Sequence, residues 1–184
     1  MSAESIKILE NGIRQLIKPD VVKCGFSYDS STRTFRKQSG ECLQIMSFQI
    51  GVRSMEGQFT VNLAVFHPEY REPACRAFPP PDKPGEFDSL MEFRRRLSSL
   101  RDTPLTKFFR KRIRNTDSFL KWWLVTPTDY WWTFTEEQTQ VATELGLVRE
   151  LFLARGLDWL NQNSDVALLK AAYEKYSPCT KVVS

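Results

Sequence analysis

Hydrophobic residues recur with two different periods along the chain, and these periods predict its secondary structure. Near the N-terminus they recur every three or four positions from Ile6 to Ile17, which predicts a helix that ends at Pro19. Over residues 42–53 and 59–66 they alternate with polar residues, which predicts two strands joined as a hairpin. The chain is therefore expected to combine an N-terminal helix with an antiparallel sheet.

Alternation in the two strands also predicts which side chains share a face. A shift by one residue would turn every side chain of a strand to the other face, so both apolar sets must lie on one side of the hairpin. The expected pairing sets Phe48 opposite Leu63 and brings both into the core. The same pairing sets Gln49 opposite Asn62 on the other face, where the two amides form a candidate polar site.

Downstream of the hairpin the pattern predicts two more strands, over residues 91–97 and 120–125. They follow an irregular, proline-rich loop over residues 74–88. Between the two strands, Thr103-Pro104 marks the start of a helix, because proline suits the first helical position.

The C-terminal part of the chain is expected to be helical. Thr135 to Gln138 has the sequence of a capping box and opens a helical pattern to about Gln162. Gly146 and Gly156 can interrupt that pattern, and Ser164 is expected to cap a last helix.

Composition agrees with one folded domain. The 184 residues are 41% hydrophobic and 26% charged, and no apolar run approaches the ~20 residues that cross a bilayer. We therefore expect a single cytoplasmic α+β domain over residues 1–184. Its antiparallel β-sheet has about five to six strands, with an N-terminal helix and C-terminal helices packed on it, and the tail from about residue 178 is frayed.

Cysteine and histidine offer little chemistry in this sequence. No two of the four cysteines form a CxxC pair, and one histidine with scattered cysteines does not make a zinc set, so we expect free thiols, no metal and no cofactor. A nucleophilic dyad of His67 with Cys24 or Cys75 is the alternative, but an ordinary loop histidine is far more common. The four thiols are Cys24, Cys42, Cys75 and Cys179.

Charge is segregated along the chain. Between Arg94 and Arg114, nine cationic residues face Asp102 alone, a net charge of +8; because the whole chain carries +4, the remainder carries −4. The predicted helix after Pro104 presents Lys107, Arg110, Lys111 and Arg114 on one face. Such a basic stripe on an acidic body favours an acidic protein partner, although an ordinary solvated face explains it equally well. The consecutive Arg94, Arg95 and Arg96 are split between two faces if they form a strand, so that one of them is internal and paired with a carboxylate.

Aromatic residues cluster next to the basic segment, at Trp122-Trp123 and at Tyr130-Trp131-Trp132. Because adjacent strand residues point to opposite faces, each pair is expected to place one ring in the core and to leave the other partly exposed. Exposed tryptophan, tyrosine and arginine are the residue types that dominate binding hot spots. Burial of all the rings under the C-terminal helices is the alternative.

The hairpin and its surroundings resemble a bacterial family, DUF4304, that is catalogued only as a domain of unknown function. The resemblance implies an α+β fold and a bacterial cytoplasmic protein, and it implies no established activity. It rests on the order and spacing of short motifs: Gly25-Phe26, Thr34-Phe35-Arg36, Phe48-Gln49, Phe59-Thr60-Val61-Asn62-Leu63, Arg96-Leu97 and Trp122-Trp123.

Two functions remain open from the sequence, and neither is enzymatic. The first is a non-catalytic protein-binding module, in one form an immunity-type inhibitor that neutralises a bacterial toxin by direct binding. The second is a nucleic-acid-binding protein that uses the basic helix and the exposed rings. For partner binding the candidate residues are Arg110, Lys111, Arg114, Tyr130, Trp131 and Trp132, and the Gln49–Asn62 face is the next candidate.

Overall fold

The computed structural model describes residues 2–72, 78–101 and 131–176. In these ranges a six-stranded antiparallel sheet carries helices from both ends of the chain on one face, so the predicted α+β class is confirmed. The predicted helix after Thr103-Pro104, the predicted strand over residues 120–125 and the predicted frayed tail lie outside the described residues.

The N-terminal helix is longer than the sequence pattern predicts. It consists of α1 (Ala3–Gly12), a π-helical turn (Ile13–Ile17) and α2 (Lys18–Lys23). The expectation that Pro19 ends the helix is wrong. Proline falls at the start of α2, just after the π-helical turn has shifted the hydrogen-bond pattern, where its missing N–H is tolerated.

The strands are sequential neighbours in the sheet. The order is β1 to β5 along the chain, and β6 adds to β4 on its own. The bounds are β1 (Ser27–Asp29), β2 (Thr34–Ser39), β3 (Cys42–Ile50), β4 (Gln58–Phe66), β5 (Arg94–Arg96) and β6 (Trp132–Thr133).

The register of the β3–β4 hairpin differs from the expected one by two residues. Phe48 pairs with Val61 rather than with Leu63. The face assignment is confirmed, because a shift by two keeps every side chain on its own side, and both Phe48 and Leu63 are buried. Strand β3 stops at Ile50, which is half-buried, and Val52 lies exposed in the connection instead of pairing with Phe59.

A row of aromatic rings crosses the helix-covered face of the sheet. Phe35, Phe48, Phe59 and Trp132 follow one another from β2 to β6, with neighbouring ring centroids 6.3, 6.0 and 5.7 Å apart. These separations lie within the range of favourable aromatic contacts. The row anchors the sheet side of the main core.

The C-terminal helices cover this row. They comprise α3 (Gln138–Leu151), a π-helical turn (Phe152–Gly156), α4 (Leu157–Asn163) and α5 (Val166–Tyr176). Gly146 does not interrupt α3. A Cβ on Gly156 would lie 3.0 Å from Leu97 Cδ1 and 3.4 Å from Leu63 Cδ1, so glycine permits the close approach of helix and sheet.

Two of the predicted helix caps are wrong. Thr135 does not begin the helix: its Oγ1 accepts a hydrogen bond from the Glu137 N–H, and α3 starts later, at Gln138. Ser164 instead closes α4 by donating to the Leu160 carbonyl, and Asp165 accepts the Ala167 N–H at the start of α5. A short hydroxyl or carboxylate can serve a local turn as well as a helix cap, which is why the motif misleads.

Candidate functional site

The face of the sheet away from the helices is polar at one end and apolar at the other. Alternation along β3 and β4 places Ser47 and Gln49 beside Thr60 and Asn62, whereas Ile45 and its neighbours make a small apolar cluster at the other end. This polar half includes the predicted Gln49–Asn62 pair. The two amides are diagonal neighbours rather than direct partners, and Asn62 Nδ2 donates to Gln49 Oε1 at 3.0 Å.

Residues 78–93, which we call the strap, cross this polar face. Glu86 fastens the strap to the sheet: its Oε2 accepts from the Ser47 hydroxyl at 2.7 Å and its Oε1 accepts from Asn62 Nδ2 at 3.1 Å. Arg36 Nε donates to the Pro84 carbonyl at 2.8 Å, and Lys83 lies 3.2 Å from the Asp29 carboxylate. The polar residues of the sheet therefore receive the strap, and this contact is one structural reason for their polarity.

The Asp29 carboxyl is held in its charged form. The Ser31 hydroxyl donates to Asp29 Oδ1 at 2.6 Å, and the Lys83 ammonium lies close by. These two interactions, the hydroxyl first, hold the pKa of Asp29 well below its usual range. A charged Asp29 therefore holds Lys83 of the strap next to β1 and also pairs with Arg36 of β2 at 3.5 Å.

An open pocket of about 310 Å³ lies on one side of Glu86, and we call it the arginine pocket. Gln49, Asn62 and Glu86 form its floor, and the consecutive arginines of β5 form its wall. Two large apolar side chains from the strap, Phe87 and Met91, stand at its rim and are 62% and 70% exposed. A second depression, of about 540 Å³, lies on the other side of the same Gln49 and Glu86.

The three arginines have different neighbours. Arg94 is half-buried: it forms an ion pair with Glu72 at 2.8 Å, donates from Nε to the Ser89 carbonyl, and its guanidinium carbon lies 5.9 Å from the centre of the Phe87 ring. Arg94 is therefore the internal arginine, paired with a carboxylate, that the sequence predicts for this segment. Arg95 is exposed, and no carboxylate of the described residues lies within ion-pair distance of it. The register sets Arg95 opposite Leu63, so its side chain projects from the face opposite to that of Arg94 and Arg96.

Arg96 connects the pocket to the tryptophan pair. Its guanidinium carbon lies 5.0 Å from the centre of the Trp131 ring, within the range of a cation–π contact. Trp131 is half-buried, whereas Trp132 is 2% exposed and belongs to the core. The expected split of the pair between core and surface is confirmed, and Trp132 is unavailable to a partner while the protein is folded.

The structure joins some of the predicted site residues and leaves others undescribed. Gln49 and Asn62 line the arginine pocket, and Trp131, which was expected on a separate surface, contacts the pocket residue Arg96. The sequence pattern did not indicate Glu86 and Phe87, because the proline-rich loop shows no period, and it placed Met91 in a predicted strand, whereas residues 91–93 form a 3-10 turn before β5. Two large apolar residues in a stretch rich in charge, proline and glycine were the available signal. Five predicted elements of the other surface lie outside the described residues: Arg110, Lys111, Arg114, Tyr130 and the Trp122-Trp123 pair.

His67 and Cys42 have the environments of structural residues. His67 is buried, stacks on Tyr70 at 4.7 Å and accepts the Glu69 N–H at its Nδ1. Burial raises the pKa of the Cys42 thiol, and the charges of Glu41 and Asp165 add to this effect, which is opposite to the activation of a nucleophile.

The other predicted cysteine sites are only partly described. Cys24 is half-buried, and Cys75 and Cys179 lie outside the described residues. Within residues 2–72, 78–101 and 131–176, no three metal-binding side chains are grouped, and no helix is long and apolar enough to cross a membrane.

The fold and the pocket define an α+β domain whose most distinctive surface is an arginine-lined depression under a strap. Residues 17–162 match the sequence profile of the family described as Domain of unknown function (DUF4304), and the chain belongs to this family. No curated protein matches the chain, and no solved structure does.

Proposed function

We propose that this protein is a non-catalytic protein-binding module that docks its partner at the arginine pocket. In its specific form the proposal is an immunity-type inhibitor, which neutralises a toxin by occupying it. One observation carries the proposal: Phe87 and Met91 are 62% and 70% exposed at the rim of a pocket walled by three consecutive arginines.

The residue types around the pocket support this reading. Aromatic residues, methionine and arginine are enriched in protein interfaces, and tryptophan and arginine are frequent hot spots. Keeping Phe87 and Met91 in water is unfavourable, because burial of each side chain is worth about 1.5–3 kcal/mol. Because both side chains are already partly buried, a partner that covers the exposed remainder gains part of that energy, and the arginines beside them favour an acidic surface.

Partner capture with matched variants tests the proposal. The purified protein is immobilised, incubated with lysate of its source organism, and the retained proteins are quantified by mass spectrometry. The double variant Phe87→Ala/Met91→Ala should lose the specific partner while remaining folded. Leu168→Ala removes an exposed apolar side chain from α5, and this control should retain it. Equal retention by the two variants would place the interface elsewhere.

The inhibitor form requires a second measurement. When the captured partner is titrated with this protein, the partner's activity should fall linearly and reach its end point at one equivalent, because tight inhibition by occupancy is stoichiometric. If the partner's activity is unaffected at saturation, the protein is a binding module but not an inhibitor. Turnover of a small molecule by the purified protein would contradict a non-catalytic role.

Binding of single-stranded nucleic acid is the second candidate, and the Arg96–Trp131 contact favours it. Bases stack on exposed rings beside cations. A nucleic-acid complex would weaken steeply with salt, because each neutralised phosphate releases counterions.

A further inference from the structure

We infer that residues 78–81 of the strap, which we call the proline ridge, are a ligand for an aromatic-lined groove on a partner protein. The ridge has the sequence Phe-Pro-Pro-Pro and precedes the strap residues that line the arginine pocket. Its recognition does not require that pocket, so the inference goes beyond the proposed function. Three features carry it: a restricted extended backbone, carbonyls that are held at both ends, and an exposed apolar surface.

Three consecutive prolines restrict the backbone of the ridge. The pyrrolidine ring fixes φ at about −65°, and a residue that precedes proline is kept out of the helical region. Phe78, Pro79 and Pro80 each precede a proline, so each favours the extended polyproline II conformation. The ridge lies within the described residues and is in neither a helix nor a strand, which agrees with a conformation that has no internal hydrogen bonds.

Two arginines hold the chain on either side of the ridge. Arg71 Nη2 donates to the Phe78 carbonyl at 2.9 Å, and Arg71 is itself buried and therefore fixed. Arg36 Nε donates to the Pro84 carbonyl at 2.8 Å, three residues beyond the ridge. Both bonds use main-chain carbonyls and leave the side chains of the ridge uncovered. Because the chain is already positioned, a partner that binds the ridge loses little conformational entropy.

The side chains of the ridge face water. Phe78 is 69% exposed, and each of the three prolines that follow it is exposed. Together they offer a partner apolar area in which proline leaves no main-chain N–H to be desolvated. A groove lined with aromatic rings is the protein surface that receives such a chain, because its flat rings pack against the pyrrolidine rings.

The composition of the ridge restricts what else can bind it. Residues 78–81 carry no charge, and Phe78 supplies their only main-chain N–H. The ridge therefore has no group that pairs with a phosphate or with an acidic surface. An apolar groove on another protein is the ligand class that remains.

Titration of polyproline-binding domains with the full chain tests the inference. The probes are ¹⁵N-labelled SH3, WW and EVH1 domains, whose ligand grooves are lined with aromatic rings. At least one domain should show chemical-shift changes centred on its aromatic groove. The apparent Kd should be roughly 10–1000 µM, since a contact of a few residues is at the weak end of protein interfaces. The absence of groove-centred shifts in all three domains would overturn the inference.

Matched variants locate the contact on this protein. Phe78→Ala and the double variant Pro80→Ala/Pro81→Ala should each weaken binding at least about tenfold. The first removes the aromatic ring, and the second releases the backbone restriction. Both change exposed side chains, so an unchanged far-ultraviolet circular dichroism spectrum should show that each variant is folded. Phe87→Ala removes a comparably exposed phenylalanine from the same strap and should leave the affinity unchanged.

Three outcomes separate the inference from the proposed function. If a domain binds the ridge but partner capture does not depend on Phe87 and Met91, the ridge is a ligand and docking at the arginine pocket fails. If capture depends on them but no domain binds, docking at the pocket holds and the ridge inference falls. Loss of domain binding in Phe87→Ala but not in Phe78→Ala would move the contact to the arginine pocket and overturn the inference.

Discussion

The side-chain amide of Asn62 donates a hydrogen bond to the Glu86 carboxylate across 3.1 Å, from strand β4 to the strap. This contact is one of two that hold the carboxylate, and the Ser47 hydroxyl makes the other. Substituting Asn62→Ala should lower the free energy of unfolding by about 1.5–3 kcal/mol, the usual contribution of a hydrogen bond to a charged group.

Urea denaturation checks this expectation. The control is Gln38→Ala, an exposed amide on the same face of the sheet, which should change stability by less than about 0.5 kcal/mol. An equally small loss for Asn62→Ala would show that the Asn62–Glu86 hydrogen bond does not contribute to stability.

The two adjacent tryptophans should respond differently to truncation. Trp132 is in the aromatic row of the core, so Trp132→Ala should cost about 3–5 kcal/mol of stability. Trp131 is half-buried against Arg96, and Trp131→Ala should leave a folded protein whose complex with the captured partner dissociates faster. Thermal unfolding and binding kinetics on both variants decide the matter, and similar stability losses for the two would contradict the assignment of faces.

Asp29 should make stability depend on pH in the acid range. Its pKa is depressed in the folded protein, so its contribution is fully present above about pH 4, the unfolded-state value, and is lost as the pH falls toward the folded-state value. The difference in melting temperature between the wild type and Asp29→Asn should therefore shrink below about pH 4. Ser31→Ala, which removes the main cause, should move this transition to higher pH. A difference that is constant across the acid range would mean that the charge of Asp29 does not contribute.

The Cys42 thiol should be unreactive in the native protein. Burial and nearby negative charge raise its pKa, so little thiolate is present at neutral pH and little of it is accessible. Iodoacetamide labelling followed by peptide mass spectrometry should modify the half-buried Cys24 sooner than Cys42, and guanidinium should remove the difference. Rapid native labelling of Cys42 would instead indicate an opening of the sheet at the start of β3.

The pocket and the basic segment are rival contact surfaces, and charge reversal separates them. Arg95→Glu should slow association with the captured partner and leave stability nearly unchanged, because exposed charges contribute little to folding. The triple reversal of Arg110, Lys111 and Arg114 to Glu is the matched comparison. Association rates at two salt concentrations show which surface steers the encounter. A larger effect of the triple variant would return the interface to the basic segment.

Much of the fold could be predicted because period and burial are local properties of the sequence. The two-residue period of β3 and β4 identified both strands and their core faces, including those of Phe48 and Leu63. The period could not identify which residues pair, because a shift by two preserves every face. The connection over residues 51–57 decides the register, and there the Gly51 N–H bonds the Gln58 carbonyl.

Helix ends were less predictable than helix existence. Pro19 and Thr135 carry strong local signals for a stop and a start, and both signals were overridden. A π-helical turn carries the first helix past Pro19, and Thr135 serves a local turn before α3. In each case the competing conformations differ by an amount that packing can supply, so the local preference does not decide the boundary.

The features of the candidate site likewise fall into those that the sequence predicts and those that it does not. By itself the sequence determined that Gln49 and Asn62 share a polar face, that Trp131 and Trp132 point to opposite sides, and that the three arginines of β5 are split between two faces, because each of these follows from alternation along a strand. Only the tertiary structure decided that Arg96 brings Trp131 to the Gln49–Asn62 face. Only it decided that Glu86 closes the floor and that Phe87 forms the rim. Those contacts join residues far apart in the chain through an aperiodic loop, and no local pattern specifies where such a loop lies.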